Sequence, residues 1–330
     1  MKYLLAIEST AHTFGIAVLN KDGKIIVNDR EMYKTESGGI IPIEAAEHHR
    51  EIADKLYEDA LKKARINEKD IFAIAFSQGP GLAPCLLEGI RFAKKKAKEL
   101  DVPIIPVNHC VAHLEIGEIT GAKDPVLLYC SGANTQIIAY EAGKYRIFGE
   151  TLDVGIGNFI DTFARYAGLG FPGGPKIAEL AMKSKNYIEL PYSIKGMDVA
   201  FSGILTKLRQ LLETKKNTIE DLSFSLQETA FAMLIESAER ALAHTGKKEL
   251  LLGGGVACNS RLQEMAKIMC DKRGCKMFCP ERSLLVDNAG MIGYLGLKMF
   301  RRGIFASGKD KDQIDILPRQ RTDEEEVNWK

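Results

Sequence analysis

Several features that would assign a chain at once to a class of protein are missing from this sequence. No run of apolar residues approaches the roughly 20 that a membrane-spanning helix needs. The seven cysteines are scattered and form no C-x-x-C pair, which argues against a disulfide framework and favours reduced, mostly buried thiols. The N-terminus alternates like a strand and lacks the long apolar stretch of a secretory leader. We therefore expect a cytoplasmic protein with no membrane association.

An excess of one charge and the common nucleotide fingerprints are also missing. The 45 basic and 44 acidic residues give a net charge of +1, so composition alone does not indicate a nucleic-acid partner. There is no G-x-x-x-x-G-K-[ST] pattern, and the glycine-rich segment GLGFPGGP follows a predicted helix, which a dinucleotide fingerprint would not do. At 330 residues, the chain is long enough for two globular domains.

The sequence does contain one weak internal repeat. LLAIESTAHTFGIAVLNKDGKII and LLYCSGANTQIIAYEAGKYRI each predict three short strands joined by a small-residue turn and a Gly-Lys hairpin. The first copy is followed by predicted helix 42–65, strand 71–77, helix 83–100, strand 103–107 and a helix beginning near His109. The second is followed by an insertion, helix 218–244, strand 249–253, helix 258–273, strand 276–279 and helix 287–301.

This order of elements predicts an α/β protein with a mixed five-stranded sheet in each of two similar domains. We place the domains at residues 1–120 and 121–330, with an α-rich insertion at about 151–217 in the second. Two such domains would face a cleft. The alternative is that two unrelated α/β halves share hairpin patterns by chance, but the identities in the aligned turns favour duplication.

The pair His109 and His113 is the first candidate for chemistry. If a helix begins near His109, a spacing of four residues places both imidazoles on one face, about one turn apart. Paired imidazoles of this kind often bind a transition metal. The spacing is equally compatible with two polar residues at the start of a helix. Asp287 precedes the last predicted helix. It could cap that helix or act as a third metal ligand.

Three loops could bind a nucleotide. The turns 8–13 and 131–135 occupy equivalent positions in the repeat and carry small residues, hydroxyl groups and backbone N–H groups that suit phosphates. The loop Gly253–Gly255 follows a strand, and its glycines permit close approach to a flat ring. Asn259, just beyond it, could cap a helix or bind a ribose. For each loop taken alone, ordinary turn chemistry is an alternative.

Taken together, the motifs of this chain resemble those of the TsaD-like family, in its archaeal and eukaryotic branch, the catalytic subunit of the KEOPS complex. The matching segments span nearly the whole chain: IESTAHTFGIAV, GGIIPIEAAEHH, AFSQGPGLAPCL, VNHCVAHLEI, LYCSGANTQI, TLDVGIGNFIDTFAR, GFPGGPKI, ELPYSIKGMDVAFSG, FSLQETAFAML, GGGVACNSRL and DNAGMI. The resemblance implies an actin/hexokinase-like (ASKHA) fold of duplicated ribonuclease-H-like domains. It also implies transfer of a threonylcarbamoyl group from threonylcarbamoyl-adenylate to N6 of adenosine 37 of tRNA.

The resemblance further implies a set of site residues. The metal ligands would be His109, His113, Tyr129 and Asp287, and two imidazoles with oxygen ligands suit iron or zinc, while magnesium could bridge phosphates. Contacts to the adenylate would come from residues of both glycine-rich loops and of the insertion: Tyr129, Cys130, Ser131, Gly132, Ala133, Asp161, Gly174, Gly254, Gly255 and Asn259. A further family acid falls on Ala178, beside Glu179. We assign Glu8, beside the first turn, as the candidate general base. The expected partners are tRNA, a separate small kinase and other KEOPS subunits.

Three other functions remain open at this point. An ATP-dependent small-molecule kinase could share the duplicated fold, but such enzymes generally use a carboxylate and magnesium. A metalloprotease is suggested by H-x-x-x-H, although the zincin pattern needs Glu where this chain has Cys110. A nucleotide-dependent scaffold without catalysis is the third. Phosphorylation of a metabolite without tRNA would identify the first, and nucleotide binding without group transfer the last.

Overall fold

The computed structural model describes residues 2–35 and 39–330, so that Gly38, the first residue of the segment GGIIPIEAAEHH, lies outside it. The chain divides into two compact units. The first contains residues 2–34, Ile40–Ile116 and Val286–Lys330, and the second contains Gly117–Leu285 together with Thr35 and Gly39. Each unit is built on a mixed five-stranded sheet, as the sequence predicts. No helix among the described residues is both long and apolar enough to cross a bilayer.

The sheet of the first unit has the strand order β3-β2-β1-β4-β5. Its first three strands form an antiparallel meander, and the last two run parallel to β1. The strands are β1 (Tyr3–Glu8), β2 (Thr13–Asn20), β3 (Ile25–Met32), β4 (Ile71–Gly79) and β5 (Ile104–Asn108), and the helices are α1 (Pro42–Ala64), α2 (Ala83–Glu99) and α3 (His109–Glu115).

Helices α1 and α2 pack on one face of this sheet through a continuous apolar cluster that includes Phe14, Tyr57 and Phe92. Proline at the start of α1 suits the first helical turn, where a backbone N–H has no partner within the helix. Helix α3 follows β5 without a loop, because Asn108 caps it by accepting a hydrogen bond from the backbone N–H of Val111 at 3.1 Å.

The second unit repeats this plan. Its sheet has the order β12-β11-β6-β7-β8. As in the first unit, an antiparallel meander of three strands lies beside two parallel strands, and this supports the predicted duplication. The elements are β6 (Val126–Cys130), β7 (Thr135–Glu141), β8 (Lys144–Glu150), α4 (Ile156–Tyr166), α5 (Gly174–Ala181), β9 (Ile194–Lys195), β10 (Asp198–Val199), α6 (Ser202–Thr214), α7 (Ile219–Thr245), β11 (Glu249–Gly253), α8 (Ser260–Arg273), β12 (Lys276–Phe278) and α9 (Arg282–Leu285). Helices α4 to α6 make the insertion α-rich.

The predicted boundary of the second domain is wrong at its C-terminal end. Residues 286–330, with α10 (Ala289–Arg301) and α11 (Asp310–Gln313), belong to the first unit. Helix α10 packs on the first sheet at short range, where a Cβ added to Gly296 would lie 2.5 Å from the Cβ of Ala75. The apolar sequence of α10 and the glycine on its packing face indicate that this helix is buried. They do not indicate which sheet covers it.

Candidate metal centre and nucleotide-binding turns

Helix α3 places His109 and His113 side by side, as their spacing predicts. Their ring centroids are 4.8 Å apart, and the side chains are 7% and 1% exposed. Because residues one turn apart share a helix face, the two Nε2 atoms converge on one point. Burial of two polar rings costs free energy unless each has partners, so the neighbours of the pair are informative.

Asp287 is the third member of this cluster. Its Oδ1 lies 3.5 Å from Nε2 of His109 and 3.5 Å from Nε2 of His113. The helix-cap alternative for Asp287 does not hold, since it is the next residue, Asn288, that caps α10 by accepting the N–H of Met291 at 3.0 Å. The carboxylate of Asp287 is therefore directed at the imidazoles. All three residues belong to the first unit.

Glu8 orients His109 from behind. Its side chain is fully buried, and Oε2 accepts a hydrogen bond from Nδ1 of His109 at 3.0 Å. The other oxygen accepts the backbone N–H of Thr10 at 2.7 Å and its hydroxyl at 2.5 Å. A proton held on Nδ1 leaves the Nε2 lone pair free for a ligand, which is how carboxylates support metal-bound histidines. This geometry suits an orienting role for Glu8, and the general-base role stays a prediction.

The pKa values of the cluster follow from burial and close charges. Burial alone would lower the pKa of His109, but Glu8 and Asp287 outweigh it and raise that pKa well above its ordinary value. Burial lowers the pKa of His113, and the hydrogen bond to Asp287 only partly opposes this. Burial would raise the pKa of Asp287, yet the two imidazoles hold it well below its usual range. When His109 is charged it carries a second proton on Nε2, which a metal would have to displace, so the affinity of the cluster for a cation would rise with pH.

The donor set fits a divalent transition metal. One ligand atom from each of His109, His113 and Asp287 lies within 4.8 Å of the others, a separation that one ion can span. Two imidazoles and one carboxylate are typical of non-haem iron(II), and zinc accepts the same ligands. Among the described residues, this is the one group of three such side chains that could hold an ion.

The fourth expected ligand, Tyr129, lies in the second unit. It is the penultimate residue of β6, and it is 1% exposed. Its neighbour Cys130 is fully buried, and burial raises the pKa of the thiol, so Cys130 contributes backbone and not a reactive thiolate. A metal-binding role for Tyr129 stays a prediction.

The turn after β6 is held by the start of α4. The carbonyls of Ser131 and Gly132 accept hydrogen bonds from the N–H groups of Gly157 at 3.1 Å and Asn158 at 2.9 Å. In a trans peptide the N–H points away from the C=O of the same plane. The N–H groups of Gly132 and Ala133 are therefore directed away from α4, and two adjacent backbone donors of this kind suit a phosphate.

The loop Gly253–Gly255 lies against this turn. Gly254 has a φ of +84°, and a Cβ there would lie 2.4 Å from the carbonyl oxygen of Cys130. Only glycine satisfies both conditions without displacing the turn. The two loops that the sequence analysis assigned to a nucleotide therefore lie next to each other within the second unit.

Asn259 ends this loop and caps α8. Its Oδ1 accepts the N–H of Arg261 at 2.8 Å, and its Nδ2 donates to Oε1 of Gln227 at 2.8 Å. Arg261 is fixed in turn by a bidentate pair of hydrogen bonds to Glu228, each 2.7 Å long. The amide of Asn259 is thereby held in one orientation. Sequence reasoning missed Gln227 and Glu228, because a polar pair inside a long helix gives no local signal of its partner.

The insertion brings two further predicted residues together. Asp161 on α4 accepts the backbone N–H of Gly173 at 2.7 Å, which fixes the start of α5 beside it, and a Cβ added to Gly174 would have no neighbour within 4 Å. Glu179 does not join them. It is one residue, or about 100° of helix rotation, beyond Ala178, which shares the face of Gly174. Its exposed carboxylate pairs with Lys183 at 2.9 Å, and a substrate contact for Glu179 stays a prediction.

Comparison with known proteins identifies the family. The model of the TsaD family, described as tRNA N6-adenosine threonylcarbamoyltransferase, matches residues 24–294. This chain belongs to the TsaD family. A protein named tRNA N6-adenosine threonylcarbamoyltransferase from Thermococcus sibiricus is 53% identical over 325 residues, which are 98% of this chain and 99% of the relative.

Two further comparisons bear on length and fold. A probable bifunctional tRNA threonylcarbamoyladenosine biosynthesis protein from Methanosarcina mazei is 50% identical over 99% of this chain, which spans 59% of that relative. A crystal structure of full-length HypF in its phosphate- and nucleotide-bound form superposes with a TM-score of 0.64 at 12% identity, over 92% of this chain and 56% of that one. This likeness, with the TsaD family match, assigns the actin/hexokinase-like (ASKHA) fold.

Proposed function

We propose that this chain is a tRNA N6-adenosine threonylcarbamoyltransferase that takes its acyl group from threonylcarbamoyl-adenylate and places it on N6 of adenosine 37. In this reaction N6 attacks the carbamoyl carbon, the bond from that carbon to the phosphate oxygen breaks, AMP leaves, and N6 loses a proton. The observation that carries the proposal is the cluster of His109, His113 and Asp287 in a chain that matches the TsaD family over most of its length.

The first unit supplies the cation-binding side chains. A divalent cation, which we propose to be iron(II), would provide Lewis-acid stabilisation of negative charge on the donor. His109 and His113 would bind it through Nε2, and Asp287 would supply the anionic ligand. Glu8 keeps the proton of His109 on Nδ1, so that this imidazole presents its lone pair to the site.

The second unit supplies the residues for the adenylate. The N–H groups of Gly132 and Ala133 would bind its phosphate, and the Gly254 loop would accept the flat purine ring. Asn259 and Asp161 would bind the ribose, each held in position by a hydrogen bond of less than 3 Å. Since N6 of adenine is a weak nucleophile and AMP is a good leaving group, we propose that positioning of the two reactants supplies much of the rate.

The net charge of the chain bears on how it would bind tRNA. A net charge of +1 gives the chain little sequence-independent attraction for the phosphates of tRNA. We propose that other KEOPS subunits, including a separate small kinase, supply part of the tRNA-binding surface. The alternative of a small-molecule kinase is not favoured, because the family and the relatives with full-length matches are named as threonylcarbamoyltransferases.

The direct test is incubation of the full chain with tRNA, threonylcarbamoyl-adenylate and the partner subunits, followed by mass analysis of the nucleosides. We expect threonylcarbamoyladenosine with the unaltered protein and a loss of at least 100-fold with His113→Ala, the size expected when a ligand of a catalytic metal is removed. The matched control is His244→Ala, an exposed histidine on α7 of the second unit, which should leave the yield unchanged. Absence of modified nucleoside from the unaltered protein and all partners would reject the proposal.

A further inference from the structure

A buried carboxylate lies at the end of the helix that carries both histidines. Glu115 is the last residue of α3, and its side chain is fully buried. Its Oε1 accepts a hydrogen bond from the indole N–H of Trp329 at 3.0 Å, and its Oε2 accepts one from Nζ of Lys298. Nζ of Lys330 lies 3.9 Å from the same carboxylate. Three separate parts of the chain therefore meet at Glu115: α3, α10 and the C-terminal segment.

These contacts connect the elements that carry the metal ligands. Helix α3 holds His109 and His113, while α10, which carries Lys298, begins two residues after Asp287. The placement of α3 against α10 thus sets the 3.5 Å separations between the imidazoles and the carboxylate. A metal site needs its ligands within a few tenths of an ångström of their bonding positions, so a small shift of one helix would weaken it.

Trp329 completes this arrangement from the C-terminal segment. It is the sole tryptophan of the chain and is 4% exposed. The segment that leads to it is fixed on the first sheet, where the N–H of Leu317 donates to the carbonyl of Gln78 at 2.9 Å. A buried ion pair adds little stability compared with apolar packing of the same volume, and this leaves room for a role in fixing one geometry.

We propose that Glu115 and Trp329 are positioning residues for the metal centre, and that the C-terminal segment sets the metal affinity by fixing α3 against α10. This inference rests on the metal binding proposed above. Neither side chain is proposed as a ligand. Their effect is transmitted through the helix that presents the two imidazoles.

The test is Trp329→Phe in the full chain, which keeps an aromatic ring at this position but removes the N–H donor and part of the volume of the indole. The probe is Co²⁺, titrated into metal-free protein and followed by its visible absorption, which reports both affinity and coordination geometry. We expect the Kd to rise about tenfold, the lower end of the range for partners outside the ligand shell. Tyr192→Phe is the matched control, because it deletes a 2.6 Å hydrogen bond to Glu236 in the second unit.

The outcomes separate this inference from the proposed function. If the unaltered protein binds Co²⁺ and Trp329→Phe has a Kd within twofold of it, the positioning role is wrong while the metal site stands. A lower unfolding midpoint with an unchanged Kd would likewise overturn it, since that is the result of a purely structural contact. If the unaltered protein binds no Co²⁺, both the metal assignment and this inference fail.

Discussion

The buried side chain of His49 should make the stability of the protein depend on pH. The residue lies on α1, is fully buried, and donates from Nε2 to the carbonyl of Ala11 at 2.9 Å. Burial lowers its pKa from 6.5 to about 4. The hydrogen bond to Ala11 opposes the shift, the neighbouring His48 and His12 add to it, and Glu88 opposes it weakly. His49 is therefore neutral in the folded protein at pH 5, whereas an unfolded histidine is protonated there.

The sign and size of the effect follow by linkage. Between pH 6.5 and pH 4 the unfolded chain binds a proton at this position that the folded chain does not, so stability falls as the pH falls. Each unit of pH in this window changes the free energy of unfolding by about 1.4 kcal/mol. From pH 7 to pH 5, His49 should therefore cost the protein about 2 kcal/mol of stability.

The assay compares the unaltered protein with His49→Gln. Glutamine retains an N–H that can reach the carbonyl of Ala11, and it does not titrate. The free energy of unfolding is measured by urea titration with circular dichroism at pH 7 and pH 5, on protein treated with chelator so that the metal centre is equally empty in both samples. Other titrating groups are common to both proteins and cancel in the difference.

We expect the unaltered protein to lose about 2 kcal/mol more than His49→Gln between the two pH values. His244→Gln, at an exposed histidine of α7, is measured alongside as the control. Equal losses in the unaltered protein and His49→Gln would refute the reasoning, because they would show that His49 titrates alike in the folded and unfolded chain.

Three further predictions concern the site itself. Glu8→Gln should weaken Co²⁺ binding by 10- to 100-fold, because the imidazole of His109 loses its anionic partner, and equilibrium dialysis at pH 7 measures this. Gly254→Ala should abolish AMP binding in calorimetry, since the new methyl group would lie 2.4 Å from the carbonyl oxygen of Cys130; retained binding would mean that this loop is not the nucleotide loop. Asn259→Ala should raise the Kd for AMP by about tenfold through loss of one hydrogen bond, and an unchanged Kd would count against the ribose contact.

The local elements could be predicted closely from the sequence because their signals are local. Strand β11 lies at 249–253 as expected, since an apolar run bounded by Lys248 and Gly254 leaves little choice. Helix α8 starts two residues later than expected, at Ser260, because Gly255–Cys258 form a tight 3-10 turn and Asn259 caps the helix. The histidine spacing likewise predicted one shared face, which the structure confirms.

Long-range pairing could not be predicted in this way. From its neighbours in the sequence, Asp287 could be either a helix cap or a metal ligand. The contact that decides between these roles is with α3, about 175 residues earlier in the chain. The same holds for Trp329 and Glu115, which are 214 residues apart. The predicted domain boundary was wrong for the same reason. The periodicity of α10 shows that this helix has a buried face, but only the folded chain shows that the first sheet covers it.

The return of residues 286–330 to the first unit has a consequence for biosynthesis. The ribosome delivers the carboxylate of Asp287 only after about 175 further residues have followed His109 and His113. Domains generally fold as they are synthesised, but α10, which packs on the first sheet, is translated only after the whole of Gly117–Leu285 in the second unit. If the cluster binds a metal as proposed, its complete ligand set exists only after residue 287 has been translated, and a product truncated before that residue would lack the carboxylate.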